Sequence, residues 1–285
     1  MNVVHHRLSL SAGERPSRWP IPENRNPMTA TLGNELDQVL KLNPQHPCYK
    51  HWREYHLSDF VRGTHIAQFL SSRILLQSAA VLDMGCGLGG ISIAVSQVAA
   101  KVVGIENVIE NVRFAERRAR EMGRTNVEFA YGTAESLPIP TASQDLVLMN
   151  DVIEHFAEPA RAIAEAARVL KVGGHVYVLA PNRHSVSVTL RDPHYQLPFV
   201  VWLPQRWRDF CVRIMGRGDR YDGNWFPSMR ELIEAFARGG IELVPVGLFD
   251  YQSPRISRMN AFSRFLWGYP VYIGTKINAT TAGSH

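Results

Sequence analysis

The chain has 285 residues, of which 45% are hydrophobic and 20% are charged, and its 31 Lys and Arg against 26 Asp and Glu give a formal net charge of +5. This length and composition support one large folded domain or two small ones, and they exclude a disordered chain, a collagen-like repeat and a disulfide-rich scaffold. Three scattered cysteines are too few for a zinc or disulfide framework, which fits a reducing compartment. No apolar run approaches the roughly 18 residues of a spanning helix, and no secretory signal is recognisable, so we expect a cytoplasmic protein.

The N-terminal part of the chain divides into two regions. Proline and polar residues dominate residues 1–44, which predicts a flexible arm outside the core. Over residues 49–77 apolar side chains recur at intervals of three and four, which predicts two helices with a break near Gly63. We therefore expect the folded domain to span residues 45–285.

The centre of the chain alternates short apolar runs with segments of helical periodicity. Strands are predicted at residues 79–83, 101–106, 127–131, 145–149 and 175–180. Such alternation is typical of right-handed βαβ units and a mainly parallel sheet. After an irregular insertion at 183–227, the pattern predicts a helix at 228–238, a strand at 241–248 and a closing strand within 262–273.

A glycine-rich loop follows the first predicted strand. Gly85, Gly87 and Gly90 form the pattern G-x-G-x-x-G before a helix, and Glu106 ends the next strand, where an acid can accept ribose hydroxyls. A dinucleotide site would satisfy this pattern equally well. Asp83, two residues before the first glycine, would repel a pyrophosphate and attract an ammonium group. The loop therefore fits a ligand with a ribose and an ammonium group, such as S-adenosylmethionine.

Five segments in order resemble the motifs of the class I S-adenosylmethionine-dependent methyltransferases, in particular the type-11 group that includes ubiquinone-type O-methyltransferases. These segments are 81–90, Glu106, 132–135, 150–155 and 170–174. The resemblance covers roughly residues 79–181, with a weaker match at 228–248. It implies an α/β, Rossmann-like sheet of seven mostly parallel strands in the order 3-2-1-4-5-7-6, with a helical N-terminal cover and an insertion after strand five.

The resemblance also implies the cofactor site. Asp83 would lie near the methionine ammonium, the Gly85–Gly87 backbone against the methionine and ribose, and Glu106 at the ribose hydroxyls. The complete expected set is Asp83, Met84, Gly85, Cys86, Gly87, Glu106, Asn107, Ala134, Glu135, Asn150 and Asp151. We expect Cys86 to be a small filler without chemistry of its own.

Three residues are candidates for catalysis of methyl transfer to a hydroxyl, which requires removal of a proton. His155 and Glu154 follow strand four at the mouth of the sheet, and His184 follows strand five. A structural role for His155 remains the alternative.

Some quinone-type relatives hold a divalent metal with an acid-x-x-Glu-His cluster, which Asp151, Glu154 and His155 would match. Our expectation is a site without a metal.

The insertion at 183–227 interleaves tryptophan and phenylalanine with arginine. We favour a lid over the acceptor, to which His194 and Tyr195 could contribute. A second interpretation is a peripheral contact of residues 198–217 with an anionic membrane. The modest charge excess and the lack of a recognisable motif argue against nucleic-acid binding.

These observations together lead to an expected function. We expect methyl transfer from S-adenosylmethionine to a small-molecule acceptor, most readily onto oxygen of a hydroxylated, lipophilic or aromatic metabolite. The alternatives are N- or C-methylation of a small metabolite, and a cofactor-binding regulatory protein without transferase activity. A NAD-dependent oxidoreductase is a third alternative, which Asp83 opposes.

Overall fold

The computed structural model describes residues 35–225, 228–250, 255–257 and 268–277, with the single residues 260, 262 and 266. Of the predicted arm, residues 1–34 therefore lie outside the described residues. The remainder, 35–44, is folded onto the domain, since Leu36 is fully buried and packs with Leu88 and Phe114. Packing in the described residues thus includes part of the predicted arm, because one leucine in a proline-rich segment gives little periodic signal.

The described residues form one eight-stranded sheet in the order β3-β2-β1-β4-β5-β8-β6-β7. Its strands are β1 (Ala80–Met84), β2 (Lys101–Glu106), β3 (Val127–Tyr131), β4 (Gln144–Asn150), β5 (Leu170–Leu179), β6 (Ile241–Asp250), β7 (Arg255–Ser257) and β8 (Pro270–Lys276). Strands β1 to β5 are parallel, whereas β8 pairs antiparallel with both β5 and β6. The predicted strand order is confirmed, with β8 as its seventh strand. The short β7 adds an eighth strand outside β6.

Helices cover both faces of the sheet. They are α1 (residues 35–39), α2 (Tyr49–Leu57), α3 (Asp59–Ser71), α4 (Gly90–Val95), α5 (Ile109–Glu121), α6 (Pro159–Val169), α7 (Val186–Leu190), α8 (Gln205–Ile214) and α9 (Met229–Arg238). Two apolar clusters lie on opposite faces, one containing Leu82 and Val147 and the other Val81 and Leu146. Strands buried on both faces explain the continuous apolar runs of the sequence. Of the helices in the described residues, none is long and apolar enough to cross a bilayer.

The predicted break near Gly63 is wrong in position. The chain turns at Ser58, between α2 and α3, and Gly63 lies buried within α3. A Cβ atom at Gly63 would lie 2.7 Å from Cα of Ile91. Gly63 therefore allows α3 to pack closely against α4, and it does not interrupt the helix.

The insertion after β5 builds a small core of its own. Val188, Leu197 and Val212 are buried there together with Tyr195 and Tyr221. The segment from residue 200 to 214 consists of a 3₁₀ turn, Val200–Trp202, followed by α8. The interruption falls at Leu203 and Pro204, where the extended backbone suits a residue before proline and proline has no N–H to donate.

Asp192 fixes the backbone in the first part of this insertion through hydrogen bonds to its carboxylate. Its fully buried carboxylate accepts hydrogen bonds from the backbone N–H groups of His194, Tyr195 and Leu197 at 3.0, 3.0 and 2.7 Å. The hydroxyl of Tyr221 donates to it as well, at 3.2 Å. A buried carboxylate with four donors fixes the turn that carries His194 and Tyr195, so the insertion is a packed element on the sheet.

Candidate active site

A cavity of about 1450 Å³ opens at the carboxyl ends of the parallel strands. Ligands of open α/β sheets bind at this edge. Its walls come from the loops after the strands, from helices α2 and α3, and from the insertion. A pocket for one drug-sized ligand measures roughly 300–1,000 Å³, so this cavity has room for two ligands side by side.

The glycine-rich loop forms the floor of one half of the cavity. Gly85, Gly87 and Gly89 all have positive φ, of +73°, +53° and +76°. A Cβ atom at Gly87 would meet nothing within 4 Å, whereas one at Gly85 would lie 2.2 Å from Cγ2 of Val152. The backbone at Gly87 is therefore open to a ligand, and the turn around it is tightly packed.

Glu106 stands at the end of β2 beside this loop. Its carboxylate accepts hydrogen bonds from the backbone N–H groups of Gly87 and Val108, both at 3.0 Å, and is 8% exposed. These two donors hold the carboxylate at the cavity wall. A carboxylate has about four lone-pair sites, so it can accept two further donors such as vicinal hydroxyls.

Asp83 and Met84 lie behind the loop, and neither lines the cavity. Asp83 is 2% exposed and accepts a 2.5 Å hydrogen bond from the hydroxyl of Ser92, while burial raises its pKa to about 6. The structure thus places these two predicted cofactor residues beneath the glycine turn. The other nine cofactor candidates all line the cavity: Gly85, Cys86, Gly87, Glu106, Asn107, Ala134, Glu135, Asn150 and Asp151.

A buried ion pair braces the glycine loop from below. Arg118 of α5 donates two hydrogen bonds to Asp59 of α3, at 2.7 and 2.8 Å, and the same carboxylate accepts the N–H of Gly90 at 3.1 Å. A Cβ at Gly90 would lie 2.1 Å from Asp59. Sequence reasoning missed this pair because its members are 59 residues apart and Arg118 belongs to a charged helix typical of a solvated face.

The end of β4 brings two buried carboxylates into the other half of the cavity. Asp151, at φ +50°, accepts a 3.2 Å hydrogen bond from the hydroxyl of Tyr55, which also lines the cavity. One oxygen each of Asn150, Asp151 and Glu154 has no hydrogen-bond partner within the described part of the chain. Burial, and then the charge of Glu154, raises the pKa of Asp151 to about 7. Unpaired buried oxygens at a cavity wall indicate a ligand that donates hydrogen bonds.

His155 lies beside these carboxylates on a 3₁₀ turn, with one third of its side chain exposed. Its Nδ1 lies 3.1 Å from Oδ2 of Asp222, and its ring meets that of His194 edge-on at 4.9 Å. Burial lowers the pKa of His155, but the hydrogen bond to Asp222 and the charge of Glu154 outweigh this and raise it to about 9. The surroundings of His155 thus stabilise the charged imidazolium form of its ring.

The structure does not bring His184 into the cavity. Its ring lies edge-on to Trp202 at 4.8 Å, and its backbone N–H donates to the side chain of Asn182. The turn that leads into α7 directs it toward the outer part of the insertion. Of the three catalytic candidates, only Glu154 and His155 line the cavity.

Arg62 and Asp222 are among the charged cavity residues that were missing from the sequence-based set. Arg62 of α3 is 3% exposed, lies 3.8 Å above the ring of Tyr55 and donates to the Tyr55 carbonyl at 3.0 Å. A lone arginine on an otherwise apolar helix face was the available signal. Asp222 comes from the far end of the insertion, and its pairing with His155 over 67 residues has no local signature.

Glu154, His155 and His194 each bring one ligand-type atom to within 4.8 Å of the others. Asp151, which the metal alternative requires, does not belong to this group. The group therefore differs from the acid-x-x-Glu-His pattern of the metal alternative.

Comparisons with known proteins agree with this geometry. Residues 82–178 match a family model described as "Methyltransferase domain". The chain is 35% identical over 115 residues to the uncharacterized methyltransferase YcgJ of Bacillus subtilis, covering 40% of this chain and 46% of that protein. It is 34% identical over 116 residues to a ubiquinone biosynthesis O-methyltransferase of Leptothrix cholodnii, covering 40% and 49%. The chain thus spans about half the length of these curated relatives.

Solved structures share the fold over more of the chain. The crystal structure of YcgJ superposes with a TM-score of 0.54 at 21% identity, covering 75% of this chain and 99% of that one. A geranyl diphosphate methyltransferase solved with S-adenosylmethionine gives 0.54 at 19% identity, covering 82% and 93%. Residues 82–178 thus match a methyltransferase domain, and the chain shares its fold with these solved methyltransferase structures.

Proposed function

We propose that this protein transfers the methyl group of S-adenosylmethionine to a hydroxyl oxygen of a small, lipophilic or aromatic acceptor. The observation that carries the proposal is that one cavity joins the Glu106 carboxylate and open glycine loop at one end to His155 at the other. The first end has the groups that a ribose requires, and the second has a proton acceptor. The ubiquinone biosynthesis O-methyltransferases among the relatives favour oxygen as the methylated atom.

At the cofactor end, the chain offers partners for each polar part of S-adenosylmethionine. Glu106 accepts the two ribose hydroxyls, and Asn107, Ala134 and Glu135 border the adenine. The buried guanidinium of Arg62 supplies the positive charge that a methionine carboxylate needs. Ammonium N–H groups can donate to the unpaired oxygens of Asn150 and Asp151. Asp83, one layer below the glycine loop, contributes negative potential there without direct contact.

At the acceptor end, the lining includes aromatic and apolar side chains. Trp52, Tyr195, Leu248, Phe249 and Tyr269 line this part of the cavity together with His155. Such a wall favours a ring or an alkyl chain next to the hydroxyl that reacts. Bound S-adenosylmethionine supplies an activated methyl group to an oxygen held in line with it. His155 takes the hydroxyl proton and the neighbouring carboxylates stabilise the resulting imidazolium.

Methyl transfer can be tested with tritium-labelled methyl donor and a panel of phenols, catechols, aliphatic alcohols and amines. We expect label to enter phenolic or catecholic acceptors, and His155→Gln to abolish turnover while donor affinity stays unchanged. Label in amines alone would establish N-methylation. Donor binding with no turnover on any acceptor would support the regulatory alternative and contradict the proposal.

We also propose that the outer surface of the insertion rests on an anionic membrane. Within residues 198–217 the exposed apolar side chains are Phe199, Trp202, Trp207, Phe210, Ile214 and Met215. Arg206 and Arg213 are exposed among them. Aromatic side chains next to arginines suit the boundary between acyl chains and anionic headgroups.

Flotation with vesicles tests this contact. Wild-type protein should float with phosphatidylglycerol vesicles and much less with phosphatidylcholine vesicles, because the arginines require anionic headgroups. Phe210→Glu should abolish flotation. The matched control is Val172→Glu, which alters an exposed valine near the start of β5, at the edge opposite the cavity. Equal flotation of the wild type and Phe210→Glu would contradict the proposal.

A further inference from the structure

The segment 220–224 leaves the insertion and returns to the turn that carries His155. The backbone N–H of Asn224 donates to the carbonyl of Glu154 at 2.5 Å, and its side-chain amide donates to the carbonyl of Phe156 at 3.3 Å. These two carbonyls belong to the residues on either side of His155. Asn224 therefore fixes the returning segment directly across from the imidazole.

Asp222, two residues earlier, is held by its own set of bonds. Its backbone N–H donates to the hydroxyl of Tyr195 at 3.3 Å, and that hydroxyl donates to the carbonyl of Arg220 at 2.9 Å. Its carboxylate is thereby placed 3.1 Å from Nδ1 of His155. An ionised carboxylate can only accept a hydrogen bond, so Nδ1 carries the proton and Nε2 is the nitrogen that can receive another.

We propose that Asp222 is the positioning residue of the reaction's proton acceptor: the insertion supplies the carboxylate that fixes the tautomer and orientation of His155. The inference rests on the proposed function. In the proton-transfer step, the acceptor O–H bond breaks, the proton goes to Nε2 of His155, and the oxygen keeps the electron pair with which it attacks the methyl carbon. Asp222 remains ionised and stabilises the imidazolium.

The charged and titratable groups that face His155 come from two elements. Glu154 and Asp151 belong to its own turn, and Asp222 and His194 belong to the insertion. Burial, and then the charge of His155, lowers the pKa of His194 to about 3, so His194 stays neutral in the working range. Asp222 is the one of these carboxylates that forms a hydrogen bond with the ring, which gives it a role in orientation beyond its charge.

The test compares Asp222→Asn with Asp219→Asn, which removes the same charge from an exposed aspartate of the same segment. The first readout is the titration of the His155 ring nitrogens by NMR, assigned with His155→Gln. In Asp222→Asn the pKa of His155 should fall by at least about one unit, because the hydrogen-bonded carboxylate is lost. In Asp219→Asn the pKa of His155 should stay unchanged. An unchanged titration in Asp222→Asn would overturn the inference.

The second readout is turnover of a panel acceptor at saturating S-adenosylmethionine and about pH 10.5, where the His155 imidazole is neutral in the wild type and in the variant. In Asp222→Asn kcat should fall about tenfold or more while donor affinity by calorimetry stays unchanged, with partial rescue in Asp222→Glu. A kcat equal to that of the wild type would overturn the inference. Wild-type protein that binds the donor and turns over no acceptor would overturn the proposed function, and the NMR comparison would then still report whether Asp222 controls His155.

Discussion

His155 has a pKa of about 9, and this value predicts how the reaction depends on pH. Only the neutral imidazole can accept a proton, so kcat/KM for the acceptor should rise with pH and level off above about 9. Steady-state rates between about pH 6 and about pH 10.5, roughly three units below to one and a half units above that value, measure this. His155→Gln should show no turnover above background at any pH in this range. A wild-type rate that is already maximal at pH 7, roughly two units lower, would contradict the assignment.

The raised pKa of His155 also makes the stability of the folded protein depend on pH. The folded-state pKa lies above the ordinary value of 6.5, so the imidazolium stabilises the folded protein fully below pH 6.5. This contribution is lost as the pH rises through about 9. His155→Gln should therefore reduce the pH dependence of the free energy of unfolding over that interval.

Among substitutions of single polar residues, we expect those that break the buried ion pair of Asp59 and Arg118 to reduce stability most. Their side chains are 10% and 5% exposed. Removing one partner leaves an uncompensated buried charge, so Asp59→Asn should lower the free energy of unfolding by about 3 kcal/mol or more in urea titrations. The control is Glu234→Gln, which breaks an exposed i,i+4 pair with Arg230 and should cost about 0.5 kcal/mol or less. Similar losses in the two variants would contradict the bracing role of Asp59.

At the scale of elements, two glycines with similar backbone conformations have different roles, one in binding the ligand and one in the structure alone. Gly87 and Gly123 both have positive φ, of +53° and +65°, and a Cβ at either would meet nothing within 4 Å. Alanine at either position should cost about 1–2 kcal/mol of stability from backbone strain. Only Gly87→Ala places its methyl group in the cavity, so only it should weaken S-adenosylmethionine binding, by about tenfold or more. Calorimetry measures the S-adenosylmethionine affinity of both variants. Equal affinities would contradict the position of the glycine-rich loop in the cavity wall.

The elements that the sequence predicts well are those with local signals. Apolar runs and glycine turns identified β1 to β5, and the helix predicted at 228–238 is α9, whose N-cap Ser228 accepts the N–H of Glu231. The three-residue β7 has no such signal because it depends on pairing with β6. Gly63 carries a helix-breaking preference that the contact between α3 and α4 overrides. Local sequence propensity thus predicts most of the helices and strands. It fails where contacts between residues distant in sequence determine the structure.

At the scale of the whole molecule, the site is assembled from parts distant in sequence. Helix α2 meets the insertion through Trp52, whose indole N–H donates to the carbonyl of His194 at 2.7 Å, and through His51, which lies 2.8 Å from the carbonyl of Pro193. These contacts close the cover and the insertion over the cavity. The sequence motifs predicted the strand-end residues of the site, whereas Arg62 and Asp222 depend on this long-range assembly and have no motif.

The most direct test of the account is calorimetry of the purified chain with S-adenosylmethionine and with NAD. We predict one S-adenosylmethionine per chain, no NAD binding, and a loss of affinity of about tenfold or more in Glu106→Gln, because hydrogen bonds to a charged carboxylate contribute about 1.5–3 kcal/mol each. Glu110→Gln, which alters the exposed acid at the start of α5, should bind as the wild type does. Binding of NAD, or equal affinity in Glu106→Gln and the wild type, would contradict the cofactor site at the centre of the account.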